Sequence, residues 1–190
     1  MSNILRIGHR LDHSEIYGPG IRTVFWTQGC TLACEGCWNT QYWGSQGGAE
    51  IQVAQLLNEL EQIEGIEGIT LLGGEPLQQS EATLELIKGC KEIGLTVFLY
   101  TGYDPYEFDE SMQNCFDLSD IVVTGRYIHK YRDTSLRWRG SSNQQVHFIS
   151  DVYDNSVLQE QTEVECHILP NGEITMVGYA EAELIELLGE

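Results

Sequence analysis

The chain has 190 residues and is 42% hydrophobic, enough for one core, so a single domain with at most an appendage is expected. Its 29 acidic residues against 10 basic ones give a formal charge of −19. That excludes general nucleic-acid binding and attraction to anionic membranes, both of which need an excess of Lys and Arg.

No apolar run approaches the roughly 18 residues of a membrane span. The first ten residues lack the apolar stretch of a secretion signal. A soluble, cytoplasmic protein is expected.

In chain order, 21–27 (IRTVFWT) reads as a strand that runs straight into a cysteine-rich loop. Val53, Leu56, Leu57, Leu60 and Ile63 recur at helical spacing and mark one buried face. Residues 69–72 are a short apolar strand ending at Gly73-Gly74. Ser80 suits a helix N-cap, and Leu84, Ile87 and Ile93 continue that helix until Gly94 stops it. Residues 96–100 form the next strand, 106–116 a weaker helix and 121–124 a further strand.

This β-α-β-α alternation predicts an α/β fold with a parallel sheet and right-handed crossovers. The units are too few to close an eight-stranded barrel, so a partial, open (β/α) barrel is expected. In such folds ligands sit beyond the carboxyl ends of the strands. The loops after Thr27, Leu72 and Tyr100 all start there, which predicts one shared site. Further on, 164–169 and 174–177 flank Asn171-Gly172, a strong hairpin signal, and 180–188 reads as a short closing helix. The expected organisation is a core over 1–150 with a hairpin-helix extension over 151–190 packed on it.

Six cysteines in a cytoplasmic chain argue for metal ligation over disulfides when three of them, Cys30, Cys34 and Cys37, crowd into eight positions. A C-x3-C-x2-C triplet can wrap one face of a cubane cluster and leave the fourth iron open to a substrate. A zinc site completed by a distant ligand is the alternative, although zinc sites usually pair two C-x2-C units. Cys90, Cys115 and Cys166 are isolated and read as small core residues. Gly73-Gly74-Glu75-Pro76 follows one βα unit later. Two glycines let a ligand approach the backbone, a carboxylate can accept from an ammonium group, and proline stiffens the turn.

C-x3-C-x2-C followed by GGEP resembles the radical S-adenosylmethionine (SAM) superfamily. Gly18-Pro19-Gly20-Ile21-Arg22, Gln28-Gly29-Cys30, Cys37-Trp38-Asn39, GGEPL at 73–77, Thr101-Gly102-Tyr103 and the stretch 135–144 resemble, within it, the activating proteins of anaerobic ribonucleotide reductases. The resemblance covers about residues 15 to 150. It implies one [4Fe–4S] cluster on Cys30, Cys34 and Cys37, with SAM bound at the open iron. One-electron reduction by a flavodoxin or ferredoxin would cleave SAM to a 5′-deoxyadenosyl radical. The implied partner is a large glycyl radical enzyme of the anaerobic ribonucleotide reductase type. A radical SAM enzyme acting instead on a small molecule or a ribosomal peptide is the alternative.

Carried over position by position, the SAM contacts would be Gly36, Cys37, Trp38, Gly73, Gly74, Glu75, Pro76, Tyr103, Arg139 and Ser141. Trp38 would stack on the adenine, or simply pack. Many superfamily members carry an aromatic just before the third cysteine; here that position is Gly36, and the aromatic follows the cysteine, as it does in the activating proteins.

Arg126, Lys130, Arg132, Arg137 and Arg139 put half of the chain's ten basic residues within fourteen positions. They read either as a solvated face that balances nearby acids, or as a docking surface or a contact to the SAM carboxylate. Tyr103 and Asp104 are expected to border the same mouth. His129 and His147 read as satisfied histidines rather than ligands.

Overall fold

The computed structural model describes residues 3–159, 164–168 and 174–178. Four parallel strands form its centre: β2 (Arg22–Thr27), β4 (Gly68–Gly73), β5 (Thr96–Tyr100) and β6 (Ile121–Thr124), side by side in that order. Both flanks are antiparallel. β1 (Ile4–Ser14) pairs with β2 and carries β3 (Ala49–Gln52) on its outer edge, while β7 (Gln145–Phe148) pairs with β6. The parallel sheet expected from the sequence is therefore the middle of a mixed α/β sheet. The flanking strands escaped the sequence reading for physical reasons. β3 and β7 are four residues long and half exposed, and β1 mixes charged and apolar positions around two register shifts.

Three helices, α1 (Val53–Leu60), α2 (Ser80–Glu92) and α3 (Glu110–Leu118), cover one face of the sheet. α3 starts later than expected because the Asp109 carboxylate accepts from the Met112 N–H at 2.8 Å and fixes the N-cap there. Ser80 is the first residue of α2 rather than its cap. A 3₁₀ turn at Pro76–Gln79 leads into the helix instead, capped by Glu75.

Strand alternation sorts the core into two sides. Phe25, Ile69, Leu71, Val97, Leu99 and Val122 point toward the helices and join Leu56, Leu86, Ile87 and Cys90 in the main core. Val24, Trp26, Leu72, Phe98, Tyr100, Ile121 and Val123 point the other way into two smaller, aromatic-rich clusters. The central strands are thus buried on both faces, as parallel strands usually are. Arg22 is fully buried at the start of β2. Its guanidinium donates to Thr70 Oγ1, the Pro19 and Ile69 carbonyls, and both oxygens of Thr96 at 2.7–3.0 Å.

Tyr153, Val157 and Leu158 pack with Phe98 and Trp138 in one of the smaller aromatic clusters, so the chain just past residue 150 still packs on the sheet. β8 (Val164–Ile168) and β9 (Ile174–Gly178) form a separate antiparallel pair, the expected hairpin. Its Asn171-Gly172 turn and the helix expected over 180–188 lie outside the described residues. Among the described residues no helix is long and apolar enough to cross a membrane.

Candidate active site

The cysteine loop leaves β2 at Thr27 and is pinned on both sides. On one side the Gly29 and Cys30 N–H groups donate to the Tyr42 and Trp43 carbonyls at 2.8 and 3.0 Å. On the other, the Gly74 and Glu75 N–H groups donate to the Thr27 and Gly29 carbonyls at 2.8 and 2.9 Å. The two glycines make this second contact possible. A Cβ at Gly73 would sit 2.5 Å from Trp26 Cα, and one at Gly74 would sit 2.5 Å from the Gly29 oxygen. The sequence suggested that these glycines let a ligand approach; here they let the cysteine loop approach. Within the loop, Ala33 takes φ +48° and Gly36 φ +71°, and the Cys37 N–H donates to the Cys34 carbonyl at 3.2 Å.

Cys30, Cys34 and Cys37, each half-buried, line one cavity of about 620 Å³ with Trp38, Gly73, Gly74, Glu75 and Pro76. That volume falls in the ~300–1,000 Å³ range of small-molecule sites. The cavity opens where β2, β4, β5 and β6 end, at Thr101, Gly102 and Gly125 as well as at GGEP. Among the described residues no three His, Cys, Asp or Glu side chains converge closely enough to enclose a single metal ion. The three thiols share the lining of the one cavity. Burial pushes the Cys30 thiol above its ordinary value, helped by the Glu75 and Cys34 charges. Burial also raises Cys34, with the Cys37 charge next.

Glu75 is only 2% exposed. One carboxylate oxygen accepts from the Leu77 N–H and Thr101 Oγ1, both at 2.9 Å, and the other from the Gly102 N–H at 2.8 Å. It straps the end of β4 to the end of β5, and its second oxygen, with one hydrogen bond, keeps spare acceptor capacity. Burial raises its pKa to about 7 against these hydrogen bonds and the nearby Arg126 charge.

The other candidates divide. Trp38 lines the cavity, is 45% exposed, and carries the Arg132 guanidinium 4.9 Å above its ring. Four of the ten expected SAM contacts do not line the cavity. Gly36 faces His129. The Tyr103 hydroxyl accepts from Gln78 Nε2 at 3.0 Å, and its ring lies under Arg126. Ser141 is fully buried and its Oγ accepts from the Ile128 N–H at 3.2 Å. Arg139 points elsewhere, its buried Nε without a hydrogen-bond partner.

In place of Arg139 and Ser141, the neighbouring Arg137, Trp138 and Gly140 line the cavity, because Trp138 adopts φ +60° and turns the backbone. The basic island does not act as one body. Arg126 pairs with Glu107, Arg137 donates to the Val157 carbonyl at 2.7 Å, and Lys130 and Arg132 are exposed. Asp104 caps the short turn at Pro105–Glu107, and His147 bonds Thr124 Oγ1 at 2.9 Å. The sequence reading also missed His9, Trp26 and Tyr100, which reach the cavity from strands β1, β2 and β5, and Met176, Val177 and Gly178 of β9.

A cysteine wall beside a strapped carboxylate, at the carboxyl ends of parallel strands, defines a cofactor-dependent site of the iron–sulfur class. The family model of the 4Fe-4S single cluster domain matches residues 16–147. The anaerobic ribonucleoside-triphosphate reductase-activating protein of Escherichia coli K12 is 33% identical over 142 residues, covering 70% of this chain and 92% of that protein. Its counterpart in Enterobacteria phage T4 is 33% identical over 139 residues, 69% of this chain and 86% of that protein. The pyruvate formate-lyase-activating enzyme of Clostridium pasteurianum is 40% identical over a shorter 98 residues, 47% of this chain and 41% of that enzyme. The chain belongs to the family of these activating proteins, radical SAM enzymes whose cofactors are a [4Fe–4S] cluster and SAM.

Proposed function

We propose that this chain installs a glycyl radical on a large partner enzyme of the anaerobic ribonucleotide reductase type, in an anaerobic cytoplasm. When bound, the reduced cluster and SAM supply a 5′-deoxyadenosyl radical able to take hydrogen from an unactivated carbon. The chain's own residues bind and orient those groups and exclude water.

In this reading Cys30, Cys34 and Cys37 each hold one iron and leave the fourth for SAM. The backbone at Gly73 and Gly74, the spare oxygen capacity of Glu75 and the Trp38 ring meet SAM, while Pro76 holds the turn. Gly36, Tyr103, Arg139 and Ser141 stand behind this wall as supports of the loops. The electron arrives from a flavodoxin or ferredoxin. Four parallel strands with the cavity at their carboxyl ends suit the open (β/α) half-barrel of the superfamily, with β8 and β9 an extension packed on that core. The observation that carries the reading is that three closely spaced thiols and the Glu75 strap line one cavity.

The test is anaerobic reconstitution with iron and sulfide, followed by reductant and SAM. Wild type is expected to release 5′-deoxyadenosine and methionine, and to leave a glycyl radical signal on an added anaerobic ribonucleotide reductase. Cys34→Ala should do neither. Zinc uptake with no cluster under any reconstitution conditions would refute the assignment.

A second reading, action on a small molecule or ribosomal peptide, draws on the narrowing of the cavity by Met176, Val177 and Gly178. Product release from SAM without any radical on the reductase would favour it.

A further inference from the structure

Part of the lining of this cavity is built from a segment outside the family match. Met176, Val177 and Gly178 line the cavity together with the thiols, yet they lie beyond residue 147, where the family match stops. The E. coli relative uses 92% of its own length to match 70% of this chain, so it has little sequence left to supply a matching hairpin.

The hairpin is anchored, not merely adjacent. The Glu165 carboxylate on β8 accepts from Ser14 Oγ at 2.6 Å and from the Glu15 backbone N–H. Ser14 is the buried last residue of β1, and Ile16 and Tyr17, just after it, line the cavity too. In the antiparallel register Glu165 faces Val177, so anchor and lining residue form one cross-strand pair on one face of the hairpin. Trp138 closes the corner, its indole N–H donating to the Ile16 carbonyl at 3.2 Å. The hairpin residues add an apolar stretch to the lining, with Arg137 beside Trp138 at the same corner.

We propose that the β8–β9 hairpin is the donor-side wall of the reaction chamber, with Val177, on the same face as the anchoring Glu165, as the specificity-determining residue that sets the room left for the hydrogen donor. The inference rests on the activase reading. An apolar wall offers no partner to a charged or hydrogen-bonding substituent, and a narrow one rejects bulk.

The test uses the full-length reconstituted protein, SAM, and the anaerobic ribonucleotide reductase of the same organism as the probe. Two quantities are read: glycyl radical formed per 5′-deoxyadenosine released, and hydrogen–deuterium exchange over 174–178 with and without SAM. Val177→Trp is expected to lower the ratio at least fivefold, and Glu165→Gln, which loosens the anchor, at least twofold. SAM is expected to slow exchange over 174–178 in wild type. If Val177→Trp does not fold, Val177→Phe takes its place: a shift of the ratio of twofold or more supports the wall, and none overturns it.

If wild type makes the radical and the variants keep its ratio, the hairpin inference fails while the activase reading stands. If wild type releases 5′-deoxyadenosine but never yields the radical, the activase reading fails and exchange alone decides. Slowed exchange then upholds the wall, and unchanged exchange removes it.

Discussion

Glu75 couples folding to pH in a direction opposite to that of most carboxylates. Its pKa rises from an ordinary 4.5 to about 7 because burial outweighs the donors that hold it. Between these values the folded chain binds more protons at this site than the unfolded chain, so stability falls as pH rises and levels off above about 7. The difference corresponds to about 3 kcal/mol.

Glu75→Gln removes the titration. It also turns the side-chain NH2 against one of the N–H groups that the carboxylate accepts from, those of Leu77 and Gly102. That lost hydrogen bond costs about 1–3 kcal/mol and carries no pH dependence. Urea unfolding of the cluster-free, reduced protein between pH 5 and 8 measures both effects. The advantage of wild type over the variant should shrink by about 2–3 kcal/mol across that window, most of it below pH 7. An advantage that stays constant, or grows with pH, would show that Glu75 is ionised in the fold at all these values and would refute the reasoning.

The thiols follow the opposite logic at the cofactor stage. Since burial raises Cys30 and Cys34, and metal ligation needs thiolates, cluster assembly followed by visible absorbance should quicken as pH rises from 7 to 9, and a flat profile would count against it. Gly74→Ala would press a Cβ against the Gly29 carbonyl, so iron per chain after reconstitution should fall by about half or more, with about 1–3 kcal/mol of stability lost; full iron loading would mean that the two loops are not welded. Arg22→Met would strip donors from three backbone carbonyls buried at the foot of the sheet, those of Pro19, Ile69 and Thr96, and should cost about 3 kcal/mol or more in urea unfolding. A loss below about 1 kcal/mol would mean that water replaces the guanidinium.

How much of this was legible beforehand follows from the range over which each feature is determined. The cysteine loop and GGEP could be read because their chemistry fixes residue types at short spacing, and both line the cavity. The glycines show the limit of that reading. Gly73 and Gly74 were assigned to a ligand because they stand in a site motif, but the groups closest to them are Trp26 and the Gly29 oxygen, brought there by strand pairing between β2 and β4. A motif marks where small residues are required; it does not say what comes close.

The strand interiors were illegible for a related reason. Val97, Phe98, Leu99 and Tyr100 form one apolar run with no polar alternation, so nothing local says that Phe98 and Tyr100 turn from the helices while Val97 and Leu99 turn toward them. The same holds for Trp26 beside Phe25. In the stretch 135–144 the offset is finer still: Arg139 and Ser141 were chosen, and Arg137, Trp138 and Gly140 reach the cavity, because a left-handed turn at Trp138 reverses which neighbours face inward.

These misses share a consequence for function. The cysteines and GGEP lie in contiguous motifs, while the donor-side wall proposed above is assembled from a turned backbone at Trp138 and a hairpin anchored through Glu165. On that proposal, partner choice sits in the part of the sequence least constrained by local pattern. On the same proposal, substitutions that redirect the enzyme belong on the wall of Trp138 and Val177 before they belong on the motifs.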